Sequence, residues 1–334
     1  MLYVTTRDRV NVFTPRHALI CEKGKCGGYF HPYRFPVFSH DQILALPEKT
    51  FGQRIADTMN LFFGTTLTGW DVEFTVGRNP VRMTAMNHKI AVLETWHNSD
   101  HTFDGFMLRL FNRMEGKGNP GTWFRIAARI AVLAAACGDF MKVGILASGV
   151  PMDIALRADT FEAVMAAWYA RRMGIPIGTI LFACDEDSGL WDFFHQGVLS
   201  VRGEAGRNLP ACLEMLIAEL FGFQETQRFL HAVSQNRRYF IREDQMLRLR
   251  SGMCCNVIRR QRAETIVRNV YKTNSYLMVP AVAFAYGSLQ DYRAAHGETS
   301  TAMILAEESP LADLLVMEKL LGMPAEDIQK MIEA

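Results

Sequence analysis

The sequence predicts an α/β fold built on a parallel sheet with helical crossovers, and three neighbouring stretches carry that prediction. Residues 142–147 (KVGILA) read as a strand. Residues 160–173 read as a helix closed by Gly174, a C-terminal stop signal. Residues 177–184 are a nearly continuous apolar run of the length a buried strand needs. A buried helix over 123–137 precedes them. Helix, strand, helix, strand in that order is the grammar of parallel strands joined by helices.

The remaining elements follow from the same periodicities. Residues 1–50 are broken by Gly24, Gly27, Gly28, Pro32 and Pro36 into short pieces. Ile55, Met59 and Phe62 share one face of a helix over 51–63. Residues 89–93 (KIAVL) form a short strand, and 106–114 a helix with Leu108, Leu110 and Phe111 inward. A break at 115–121 (EGKGNPG) separates that helix from the next. The tail is expected to hold helices at 212–221 and 263–272, a strand at 302–306 and a last helix from Pro310.

Composition narrows the function classes. The 334 residues suffice for two domains, or for one domain with an arm. Hydrophobic residues at 49% and charged residues at 21% indicate a globular chain with a large core. The net charge of +1, with no long Lys/Arg run, argues against a nucleic-acid partner. The apolar run from Ile130 to Cys137 is too short to span a bilayer. The opening MLYVTTRDRV has no apolar signal core, and seven cysteines without a second zinc-spaced pair read as reduced thiols. The expected location is cytoplasmic, with no membrane association.

Several stretches, in order along the chain, resemble threonine synthase, a fold-type II pyridoxal phosphate (PLP) enzyme. They are Tyr3-Val4-Thr5-Thr6-Arg7, Gly27-Gly28 with Pro32, and Glu94-Thr95-Trp96-His97 followed by Phe103 and Phe106. Asn119, Trp123, Arg125 and Ile126 match a further family pattern, as do the run from Trp168 to Ile177 and Asp185-Glu186-Asp187 with Phe193 and Gly197. Tyr276-Leu277 with Pro280 and Ala283 completes the series. The resemblance implies a tryptophan-synthase-β-like parallel sheet with flanking helices. It also implies that the small cofactor-covering subdomain is largely deleted, because only 115–118 lie where the family carries it. An N-terminal arm with helices is expected over 1–88 and the α/β core over 89–334.

The same resemblance locates a remnant cofactor cleft at His97, Phe103, Asp104, Asp159, Thr160, Phe161, Glu162 and Glu307. The family's motif ends Phe-Lys-Asp, whereas this chain reads Phe103-Asp104-Gly105. A carboxylate cannot form the imine that the cofactor requires. The family's Gly-Asn-Phe-Gly phosphate loop corresponds to Asp159, Thr160, Phe161 and Glu162, where acids replace both glycines. Two like charges about 4 Å apart repel by roughly 1 to 4 kcal/mol. At the threonine that meets the pyridine nitrogen stands Glu307-Glu308-Ser309-Pro310.

The expectation is therefore a non-catalytic pseudoenzyme with no cofactor and a binding, scaffold or regulatory role. Self-association as a homodimer would cover the apolar surface that the missing subdomain exposes, and a protein partner is the other possibility. One alternative is a PLP-dependent lyase, a threonine synthase acting on O-phosphohomoserine, with the lysine relocated to Lys89, Lys117 or Lys142. A second is a metal-assisted enzyme using His97, His101 and Asp104, which helical spacing would set on one face. Its competitor is a polar helix entry capped by Ser99 or Asp100. Ser148-Gly149 could seat an anion, and so could Arg125 with Arg129, although ion-paired arginines are the usual case.

Overall fold

The computed structural model describes residues 1–147, 149–159, 161–201, 212–298 and 300–333. Its centre is a six-stranded sheet in the order Met253–Val257, Ile177–Cys184, Met152–Arg157, Ala302–Ala306, Ile90–Glu94, Arg82–Asn87. The first five strands are parallel, and the last is antiparallel. The central strands are buried on both faces, which explains their continuous apolar sequences.

Side chains alternate between two cores, as the two-residue period of a strand requires. Leu93, Leu156, Phe182 and Leu305 join one cluster. The helices Phe51–Phe63, Thr122–Lys142 and Glu162–Arg172 supply the rest of that cluster's centre. Val92, Ala155, Leu181 and Ile304 face the other way, onto Arg260–Asn274 and Pro280–His296. The expected α/β architecture with flanking helices is the one observed.

Ile55, Met59 and Phe62 are buried together as expected. A three-stranded antiparallel sheet (Tyr3–Thr5, Asp8–Phe13, Phe30–Pro32) docks beside them. The Tyr3 hydroxyl donates to the Phe62 carbonyl at 2.8 Å and accepts from Trp123 Nε1 at 3.1 Å. A division between residues 88 and 89 would fall in the turn of the hairpin that joins Arg82–Asn87 to Ile90–Glu94.

Three expectations need correction. The 142–147 stretch is not a strand. The long helix continues to Lys142, burying Phe140, and the chain then turns at Gly144 with φ +76°. The strand is Met152–Arg157, which its two charged residues concealed. Asp153 is tolerated there because its carboxylate accepts the Thr179 N–H at 2.8 Å. In the helix Phe103–Glu115, Leu110 and Phe111 are buried but Leu108 is exposed. The tail from Pro310 holds a 3-10 turn and two helices, Leu314–Leu321 and Ala325–Glu333, divided near Pro324.

Candidate functional site

A cavity of about 510 Å³ opens at the carboxyl ends of the strands Met152–Arg157 and Ala302–Ala306. Ligand crevices in open α/β sheets lie at this end of the strands. Chain after these strands supplies Asp159, Glu307 and Glu308. The first turn of Phe103–Glu115 supplies Phe103 and Asp104, and the starts of two further helices supply Arg125, Arg129 and Glu162.

Local sequence explains how each acid comes to be there. Thr102 caps its helix by accepting the Gly105 N–H at 3.1 Å. The Phe103 N–H is anchored on the Glu307 carbonyl at 2.9 Å. Asp104 thus stands in a first turn, where a carboxylate meets the positive end of the helix dipole. Glu162 occupies the same kind of position in Glu162–Arg172, after Phe161 in the left-handed region at φ +65°.

The floor of the cavity is an ion network. Arg129, buried, donates to both oxygens of Glu307 at 2.7 and 2.9 Å and to Glu162 Oε2 at 3.1 Å. Its guanidinium lies over the Phe103 ring, 4.8 Å from the centroid. Arg125 donates to the other oxygen of Glu162 at 2.8 Å and to Glu22 at 2.7 Å. Burial disfavours both charges, but the carboxylates outweigh it and hold both guanidiniums above their ordinary values. Each arginine is therefore engaged by acids of the chain itself.

The opposite wall is acidic and less well paired. Arg157 reaches Asp159 at 2.6 Å and Asp185 at 3.8 Å, while stacking on Phe284. Desolvation raises the Asp159 carboxyl despite Arg157, with Asp185 and Glu307 adding to the rise. Desolvation also raises the Glu308 carboxyl, and the neighbouring Asp159 adds to it. Asp104, Asp159, Glu162, Glu307 and Glu308 outnumber Arg125, Arg129 and Arg157 among the described lining residues.

The sequence-expected residues divide accordingly. Phe103, Asp104, Asp159, Glu162 and Glu307 line this one cavity. Phe161 is buried in the core beneath it. Thr160 and Ser148 lie outside the described residues. His97 is elsewhere. It stacks on Trp96 and bonds Glu94 Oε2 at 2.7 Å through Nε2.

His97, His101 and Asp104 do not share a helix face, because the helix begins only at Phe103 and His101 has φ +54°. Among the described residues no group of three His, Cys, Asp or Glu side chains is placed to hold a metal ion. The helix cap is Thr102 rather than Ser99 or Asp100.

Arg157 and Glu308 were not singled out as site residues. Arg157 ends the strand that the sequence hid, and Glu308 adjoins Glu307.

A fold-type II cofactor needs an amine near its aldehyde and amide donors near its phosphate. No lysine lines the cavity among the described residues. Lys89 sits in the hairpin turn and donates to the Glu298 carbonyl at 2.7 Å. Lys117 lies between helices, and Lys142 ends the long helix. The Glu162 carboxylate, at the helix start where the family's loop would grip phosphate, occupies the two nearest guanidiniums.

The fold is that of the α/β, fold-type II PLP enzymes. A PLP-bound threonine synthase from Brucella melitensis superposes with a TM-score of 0.81 at 16% identity, covering 97% of this chain and 92% of that one. Threonine synthase from yeast gives 0.84 at 12% identity, covering 98% and 93%. In sequence, the chain is similar to Threonine synthase-like 1 of Homo sapiens, 24% identical over 200 residues, which is 56% of this chain and 27% of that protein. Its counterpart in Mus musculus is 29% identical over 112 residues, 34% of this chain and 15% of that one. The chain thus spans about a quarter or less of the length of these curated relatives. No family model matches. The resemblance to threonine synthases drawn from the sequence is borne out.

Proposed function

We propose that this chain is a non-catalytic protein on the threonine synthase fold, one that does not hold PLP and uses its cleft in a binding or regulatory role. One observation carries the reading. At the cavity floor Arg129 is engaged by Glu162 and Glu307 and Arg125 by Glu162 and Glu22, and the accessible wall is acidic. An anionic, aldehyde-bearing cofactor would meet neither an amine nor a spare cation there.

The test is direct. The purified chain, incubated with PLP and then freed of unbound cofactor by gel filtration, is expected to be colourless, and borohydride added after that step is expected to fix no stoichiometric cofactor to a lysine. A stoichiometric reduced adduct at a single lysine, found by peptide mass spectrometry, would overturn the reading.

Self-association belongs to the same proposal. Gly116 to Gly121 connect Phe103–Glu115 to Thr122–Lys142, the place where the sequence resemblance implies a deleted subdomain. Beside the end of the first helix lies Gly69–Val76, tied to it by an Arg113–Asp71 ion pair. That neighbour presents Trp70 and Phe74, 70% and 76% exposed and stacked with centroids 5.1 Å apart. A stacked aromatic pair in water favours a protein partner, and a second copy is the simplest one. Light scattering is expected to give a dimer that Trp70→Ser with Phe74→Ser converts to monomer. A wild-type monomer would count against self-association.

All seven cysteines are free, which fits a reducing, cytoplasmic setting. Among the described residues no helix is long and apolar enough to cross a membrane.

A further inference from the structure

A second, smaller cavity shares no lining residue with the cleft. It measures about 140 Å³ and sits between the N-terminal sheet and the end of Glu162–Arg172. Arg9, His31, Tyr33, Arg172 and Glu219 are its charged or titratable lining residues.

His31 is the unusual member. It is 5% exposed, fixed in the sheet opposite Val4, and its Nε2 has no hydrogen-bond partner among the described residues. A buried polar atom without a partner costs free energy of about 1 to 3 kcal/mol, so it marks a place where something polar belongs. The other ring nitrogen, Nδ1, lies 3.5 Å from Glu219 Oε1. A carboxylate on that side sets the single proton of the neutral ring on Nδ1. Burial lowers the imidazole's affinity for a second proton, Glu219 and the Pro32 backbone oppose that effect, and Arg9 and Arg172 add to it. Nε2 is then an acceptor, waiting for a donor.

The rest of the lining is cationic on balance. Glu219 is already engaged, taking the Tyr169 hydroxyl at 3.0 Å and an ion pair from Arg172. Arg172 stacks on Phe35, 4.9 Å from the centroid, which fixes its guanidinium at the wall. The Arg9 side chain makes no hydrogen bond or ion pair with the described residues, and it is exposed. The fitting ligand is therefore a small anion that also carries a proton to donate.

We propose that this pocket binds inorganic phosphate in a protonated form, its oxygens held by Arg9 and Arg172 and its P–O–H donated to His31 Nε2. Guanidinium forks match tetrahedral oxyanions in geometry. Inorganic phosphate keeps at least one O–H at neutral pH. Sulfate has none there, and a phosphomonoester is mostly the unprotonated dianion. The His31 lone pair would face an oxygen lone pair of either competitor. The site therefore selects on a proton as well as on charge. This proposal does not depend on the fate of PLP in the cleft.

Calorimetric titration of the whole chain at neutral pH tests it. Inorganic phosphate is expected to bind about tenfold more tightly than sulfate or a phosphomonoester. Arg9→Gln, a change at an exposed and unpaired residue, is expected to weaken phosphate binding by about tenfold while leaving the thermal midpoint unchanged. Absence of phosphate binding overturns the proposal. Equal affinity for sulfate overturns it too, because guanidinium attraction alone would then suffice. Phosphate binding unaltered by Arg9→Gln places the ion elsewhere, for instance in the cleft, and overturns it as well.

Discussion

The large cleft and the small pocket both contain arginines, yet they present opposite electrical faces. In the cleft, Arg125 and Arg129 each reach more than one carboxylate of the chain, and further acids crowd the mouth. In the pocket, Arg172 is paired with Glu219 but Arg9 is not, and a buried histidine nitrogen has no partner among the described residues. The difference teaches that arginine content does not define an anion site. What counts is whether the guanidinium's donors remain available once the protein's own acids have been served.

The sharpest way to break this comparison is to remove Arg129. It is the buried hub that joins Glu162 and Glu307. Arg129→Ala leaves two carboxylates partly desolvated with fewer counter-charges, which costs about 3 to 5 kcal/mol. Urea unfolding is expected to show that loss as a lowered midpoint. In the pocket, Arg9→Gln should change stability by no more than about 0.5 kcal/mol. If the two variants unfold alike, the cleft network is not the structural element argued here.

Much of this contrast was legible in the sequence, and the illegible part has physical causes. Uninterrupted apolar runs such as Ile177–Cys184 and Ala302–Ala306 announced central strands, because a strand buried on both faces admits few polar residues. Met152–Arg157 escaped because its two charged residues find their partners in the fold, Asp153 on the neighbouring strand and Arg157 on Asp159 and Asp185 beyond the strand ends. KVGILA misled in the opposite sense. Its residues are apolar, but Val143 and Ile145 face solvent after the helix that ends at Lys142.

At the site, the positions of Asp104, Asp159, Glu162 and Glu307 followed from resemblance alone. Their meeting in one cavity depends on three separate crossovers. The spacing of His97, His101 and Asp104 suggested a helix face. Thr102 starts the helix too late for it, and a cap chooses its residue by local backbone geometry. Nothing local marks His31 as special. Its missing partner emerges only when the N-terminal sheet docks against the helix ending at Arg172.

The gentlest test of the comparison uses pH. Glu308 lies on the acidic wall, with its carboxyl raised chiefly by desolvation and further by Asp159. A carboxyl whose folded pKa exceeds its unfolded one binds protons more readily in the native state. It therefore costs nothing below about pH 4, where both states are protonated, and destabilises as pH rises through the raised value. Glu308→Gln should accordingly stabilise the fold at neutral pH, and this gain should vanish on acidification towards pH about 4. Because Glu308 is exposed, screening limits the gain to roughly 0.5 kcal/mol. Melting curves of the two proteins at both pH values measure it. A gain that persisted in acid would mean that the substitution acts through packing, and the wall would then lack the repulsion that sets it apart from the pocket.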